Sequence, residues 1–163
     1  MYKNKIINQD IQENLAAEEV KQYVTFLVGD ETYGVSVMKV QSINEMIDIT
    51  YVPKARPFIK GVINLRGSVI HVIDMRKKFS LPDKEYDSFT VILIVEVKER
   101  LIGMIVDSVS DVVSLPVSDI QKDINYSAKV DTKSIEGIGK VGDHLIVLLD
   151  VEAFLVGEAF QEG

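Results

Sequence analysis

The chain contains no cysteine. Disulfides, thiolate metal sites and cysteine nucleophiles are therefore excluded, and the absence fits a reducing compartment. Histidine is almost as scarce: only His71 and His144 occur, and their spacing is not that of metal ligands. Long apolar runs are missing as well. The longest, residues 91–97, already includes Glu96 and falls far short of the roughly 20 residues that a spanning helix needs. Near the start, Lys3 and Lys5 are followed by Asn8, Gln9, Asp10, Gln12 and Glu13, where a secretory signal would place its apolar core. Positive charge is in deficit, with 18 Lys and Arg against 25 Asp and Glu and a formal net charge of -7. Without a basic stripe the chain is a poor ligand for nucleic acid or for an anionic membrane surface. A cytoplasmic location without direct membrane insertion is expected.

Catalytic motifs are equally sparse. Gly67-Ser68 lacks the third element of a nucleophile elbow, and its serine belongs to a hairpin turn. The spacing of Gly137, Gly139 and Gly142 imitates part of a dinucleotide fingerprint, but it lies in a hairpin with no helix opening at the third glycine. No Lys-Ser or Lys-Thr follows these glycines, which removes a phosphate loop. Asp74 and Asp150 read as helix caps rather than a catalytic pair. No catalytic residue, cofactor site or metal site is expected.

What is present is the grammar of short strands. With 163 residues, 47% of them hydrophobic, the chain is long enough for one medium domain or two very small ones. Residues 1–20 are polar and read as a flexible tail. Strands are expected over 23–28 and 31–37 around the turn signal Gly29-Asp30, and over 61–65 and 69–73 around Arg66-Gly67-Ser68. Val37, Val40 and Ile43 lie at helical spacing, which predicts one or two helical turns there. The pattern then repeats, with strands over 89–97, 101–106 and 109–115 and a hairpin around Gly142-Asp143.

The repeat has two registers. Gly103, Val109 and Val112 follow Gly34, Val40 and Ile43 at an offset of 69 residues. Gly137 and Asp150 follow Gly61 and Asp74 at an offset of 76, and both segments run glycine, strand, tight turn, strand, aspartate, helix. The seven extra residues of the second half are best placed in the loop 123–133. Two such halves predict a mainly all-β protein of two five-stranded barrels packed together, with short helices, because closure removes exposed sheet edges. The expected division is a first barrel at about 21–80, a second at about 88–150, and a C-terminal helix at about 150–160 packing back on the first barrel. Packing the two barrels together should leave a groove at their junction.

The segment 59–67 has an unusual composition: Arg66 stands at the tip of a tight turn between two apolar strands. It reads either as a solvated turn charge or as an anchor, since arginine offers a planar multi-donor fork and is enriched in binding hot spots. This segment, continued through Ile73-Asp74-Met75-Arg76-Lys77-Lys78-Phe79, resembles the signature of the CheW family. The stretch ending Met38-Lys39-Val40-Gln41-Ser42-Ile43 is similar to that family's opening, and residues 101–109 to its second-half opening. The resemblance covers roughly residues 21–156. It implies two SH3-like barrels and a non-catalytic chemotaxis adaptor. The implied partners are the regulatory domain of the kinase CheA and the cytoplasmic tip of chemoreceptors, with other copies of the adaptor beside them. By resemblance Val40, Gly61 and Arg66 fall at positions tied to coupling and receptor binding; Val37 and Ile43 join them by their spacing. Ser42, Asn64, Leu65 and Gly67 complete the candidate set. Many relatives carry glutamate where this chain has Ser42, and the sequence leaves open whether Glu45 replaces that carboxylate beside Arg66. The alternative reading is an SH3-like peptide-binding module of another two-component pathway.

Overall fold

The computed structural model describes residues 19–122 and 130–155. Ten strands carry the fold: β1 (Val20–Val28), β2 (Glu31–Ser36), β3 (Val40–Glu45), β4 (Ile59–Leu65), β5 (Ser68–Asp74), β6 (Val91–Val97), β7 (Arg100–Val106), β8 (Ser108–Pro116), β9 (Ile135–Val141) and β10 (His144–Leu149). Two short helices, α1 (Met75–Lys78) and α2 (Val151–Leu155), follow β5 and β10. Asp74 caps α1 by accepting from the backbone N–H groups of Arg76 and Lys77, and Asp150 accepts from Ala153 N–H at 3.2 Å. Both carboxylates thus satisfy helix-start donors that would otherwise lack partners.

The strands form two five-stranded sheets, ordered β8-β1-β2-β10-β9 and β3-β6-β7-β5-β4. The mainly all-β expectation holds. The division into consecutive barrels at 21–80 and 88–150 does not describe how the strands pair. β1 and β2 leave their own half to join β8, β9 and β10, while β6 and β7 join β3, β4 and β5. The reason lies in the parallel pairings. Leu148 sits opposite Gly34 in β10–β2, and Val72 opposite Gly103 in β5–β7. The same two repeat offsets relate both pairs, so one interleaved arrangement is built twice around an internal pseudo-twofold. Each glycine faces a filled barrel interior. A Cβ on Gly34 would lie 2.9 Å from Leu148 Cδ2, and one on Gly103 would lie 2.9 Å from Ile92 Cγ2.

The ladders do not close. At each seam a single bridge, Thr50 to Val62 or Gln121 to Ile138, brings the open edges together. Strand β6 shows how the core is divided. Ile92 and Ile94 point into one barrel with Ile63, Ile70 and Val72, while Leu93, Val95 and Val97 point the other way. Alternate side chains of a strand face opposite sides, so a run that is apolar throughout is buried on both. The second side is the largest apolar cluster, shared between the barrels, and joins Phe26 and Tyr33 to Met104 and Leu149. A file of rings crosses it: Phe26 on Tyr33 at 5.8 Å, Tyr33 on Phe79 at 4.8 Å, and Phe79 on Phe154 at 5.6 Å between centroids.

Between β2 and β3 the helical turns expected from Val37, Val40 and Ile43 shrink to one 3-10 turn, Val37–Lys39, and β3 begins at Val40. The three-residue spacing has another cause. A β-bulge between Val40 and Ser42 adds one residue to β3, so Val40 and Ile43 pair with Val95 and Leu93, which share a face. Helix α2 packs against β6 and the turn Thr132–Ser134. Residues 156–160 of the expected C-terminal helix, residues 1–18 of the expected tail and residues 123–129 of the expected longer loop lie outside the described residues.

Candidate partner-docking site

Two separate elements carry the candidate residues. The first is the crossover from β2 to β3. Ser36 caps its 3-10 turn, accepting from Met38 N–H at 3.2 Å. Val37 and Val40 are half-buried against the shared core, whereas Ile43 is 47% and Met38 89% exposed. Lys39 Nζ reaches Glu152 Oε1 of α2 at 3.3 Å. The crossover borders an open cleft of about 680 Å³, with Lys21 and Gln22 of β1 on one wall and Asp150 and Glu152 on another. Val37 and Met38 form part of its lining, but the strands that line it, β1, β2 and β9, all belong to one sheet, so this cleft is not the groove expected at the junction of the barrels.

The second element is the β4–β5 hairpin. Leu65 pairs with Ser68, leaving a two-residue loop in which Arg66 (φ 52°) and Gly67 (φ 87°) are both left-handed, the geometry of a type I′ turn. Asn64 Oδ1 accepts from Gly67 N–H at 3.0 Å and pins the tip. Arg66 is exposed, and no ion pair joins it to Glu45 among the described residues. Glu45 therefore does not replace the carboxylate missing at Ser42. Ser42 is engaged differently: it lies on the opposite face of β3 from Ile43, accepting from Asn44 Nδ2 at 2.8 Å. Leu65 packs on the cluster inside its own barrel. Gly61 lies at the seam, where an added Cβ would stand 2.1 Å from the Thr50 carbonyl oxygen. Its role is to let two strands approach.

The structure thus brings Val37, Val40 and Ile43 together on the rim of the shared core. It places Asn64, Arg66 and Gly67 on the hairpin, and gives Gly61 and Ser42 internal roles. Among the described residues no group of three or more His, Asp or Glu is arranged to hold a metal, and no helix is long and apolar enough to cross a membrane.

The family model described as the CheW-like domain matches residues 22–159. The chain belongs to the CheW family. It is 37% identical over 145 residues to the chemotaxis protein CheW of Klebsiella aerogenes, covering 88% of this chain and 87% of that protein. With CheW of Bacillus subtilis it shares 37% identity over 143 residues, covering 88% and 92%. The solved scaffolding protein TtCheW of Thermoanaerobacter tengcongensis has a TM-score of 0.76 and 32% identity, covering 83% of this chain and 88% of that one.

The internal twofold of this CheW fold exposes residues that the candidate set omits. Val112 in β8 stands at the place of Ile43 and is 52% exposed; Leu145 in β10 stands at the place of Val69, and these are 40% and 67% exposed. Both barrels therefore show an apolar pair at equivalent positions. Their hairpin tips differ in charge: Arg66-Gly67 on one corresponds to Gly142-Asp143 on the other. The offsets of 69 and 76 pointed to these twins; what the sequence lacked was a sign of which apolar side chains face outward.

A further polar cluster spans the second crossover, from β7 to β8. Arg76 Nε and Nη2 donate to the two carboxylate oxygens of Asp107 at 2.9 and 2.7 Å, and Gly29 N–H donates to the same group at 2.9 Å. Burial works to raise the Asp107 carboxyl, but the bonds from Arg76 and Gly29 outweigh it and hold the group below its ordinary range. The cluster ties α1 to the β1–β2 turn of the opposite barrel. At the first crossover Lys39 and Glu152 hold the equivalent ground with the charges reversed.

Proposed function

We propose that this chain is a non-catalytic chemotaxis adaptor that couples chemoreceptors to the histidine kinase CheA in a signalling array. In this reading one docking face engages the CheA regulatory domain and another takes the cytoplasmic receptor tip, with further adaptor copies as neighbours. The protein works in the cytoplasm and reaches the membrane only through these partners. The observation that carries the reading is Arg66, exposed at the tip of a hairpin that also exposes the apolar Val69. A turn backbone fixed in advance loses little freedom on binding, and apolar surface on the same hairpin supplies the burial that a protein partner rewards. Membership of a family whose relatives are chemotaxis and scaffolding proteins supports the same conclusion. Holding kinase and receptor on one small scaffold raises their effective concentration for each other.

The test is separate pull-down of the purified chain with a CheA regulatory domain and with a receptor tip fragment, followed by kinase assays in a reconstituted array. Arg66→Ala is expected to keep the fold, because the side chain is exposed, and to lose kinase activation. Full activation by the folded variant would remove Arg66 from the mechanism; indifference of the native chain to both partners would remove the adaptor reading.

A further inference from the structure

The two sequence halves build both barrels jointly, and residues 80–90 connect them. Of the eight strand ladders among the described residues, four join one half to the other: β1–β8, β2–β10, β3–β6 and β5–β7. The largest apolar cluster also draws on both halves, from Phe26 and Tyr33 in the first to Leu93 and Met104 in the second. We propose that this chain exchanges halves with a second copy of itself, forming an intertwined dimer in which the connector 80–90 has opened. Every cross-half ladder is then re-formed between copies with the same residues facing each other. Only the connector changes.

The connector has features that favour opening. Ser80 lies just past Phe79, the C-cap of α1, and is held at φ 58°, a left-handed conformation that a non-glycine residue leaves with a gain. Pro82 biases Leu81 towards extended backbone, the shape that an opened hinge takes. One contact that holds the connector to α1 is a surface pair, Lys77 with Asp83 at 3.1 Å, and another surface pair, Lys84 with Asp87 at 3.5 Å, lies within the connector itself. Exposed pairs of this kind add little stability. The stronger restraints are Leu81, whose side chain packs on the shared core and whose N–H donates to Arg76 O at 2.8 Å, Arg76 Nη1 donating to Pro82 O at 3.0 Å, and Tyr86 Oη donating to Asp74 Oδ2 at 3.4 Å; these are what the opened connector gives up. An exchanged dimer would carry two complete sets of docking faces on one particle, which makes the adaptor bivalent.

The experiment uses the full chain. Ser80→Gly relieves the left-handed position and Ser80→Val aggravates it, so dimer association measured by light scattering on a sizing column should fall and rise respectively, each by roughly tenfold. For identity of the dimer, Gln22→Cys with Ser114→Cys places a thiol on each half. These residues face each other across β1–β8, with their side chains 3.3 Å apart, and the chain has no other cysteine. After oxidation, an exchanged dimer runs at twice the chain mass on a non-reducing denaturing gel, while the monomer fraction runs as single chains. A dimer fraction that yields only single chains overturns the proposal. So does an absence of dimer at millimolar concentration, or an equal dimer fraction in the two Ser80 variants.

Discussion

Replacing Gly61 by alanine should destabilise the protein by about 3–5 kcal/mol through a single contact at the barrel seam. The new Cβ would lie 2.1 Å from the Thr50 oxygen and 2.8 Å from the Thr50 carbonyl carbon. Both are backbone atoms, so no side-chain rotation relieves the overlap. The seam must part, and with it go the two hydrogen bonds from Thr50 N to Val62 O and from Val62 N to Thr50 O, at 2.8 and 2.9 Å. Each is worth about 1 kcal/mol net. Gly61 also has φ 156°, in a region essentially reserved for glycine, which adds about 1–3 kcal/mol for any other residue. For a domain of this size the sum corresponds to a fall in Tm of about 10 °C. Gly67→Ala is the control. It sits at φ 87° with nothing within 4 Å of its added Cβ, so it should cost only about 1–2 kcal/mol of backbone strain. Urea unfolding with matched slopes measures both variants. Hydrogen exchange at Thr50 and Val62 should accelerate in Gly61→Ala alone. A loss below about 1 kcal/mol in Gly61→Ala, with exchange at these two amides unchanged, would refute the steric argument.

Other measurements probe the crossovers and the core. Arg76→Met removes a bidentate partner from the largely buried Asp107 and should cost about 2 kcal/mol, whereas Arg76→Met combined with Asp107→Leu should recover part of it in a double-mutant cycle. Because the folded Asp107 carboxyl lies below its ordinary value of about 3.9, its contribution is complete above about pH 4 and lost as pH falls through the lowered value. The stability difference between native chain and Asp107→Asn should therefore shrink in acid. At the other end of the scale, Tyr86 is pushed up to about 12, first by burial and then by the charge of Asp74. Its neutral form is favoured by folding, so its contribution persists up to about pH 10 and is lost between about pH 10 and 12; alkaline melting of Tyr86→Phe should be correspondingly shallower. Phe154→Ala should cost about 3–5 kcal/mol in urea unfolding, since the ring is buried and packs at a tilt against Phe79 in the shared core.

The sequence by itself determined the all-β class, the hairpins, the helix-capping aspartates and the twofold repeat, because these depend on interactions within a few residues. Turn chemistry marks Gly29, Gly67 and Gly142 locally, and a capping carboxylate such as Asp74 bonds to backbone two and three residues ahead. Which strands sit side by side was decided only in the tertiary structure. The run 91–97 is equally apolar whether it lies beside its own half or crosses to the other, and only the filled interiors opposite Gly34 and Gly103 select the interleaved pairing. The same limit applied to the site. The spacing of Val37, Val40 and Ile43 fits a helix as well as a bulged strand, and pairing with Val95 and Leu93 is what resolves it. Arg66 was legible at its turn, but its freedom from Glu45 was not, since that depends on how residues far apart in sequence are brought together. Local chemistry writes the elements into the chain; long-range packing, which depends on the shape of surfaces that exist only once the elements meet, chooses their neighbours.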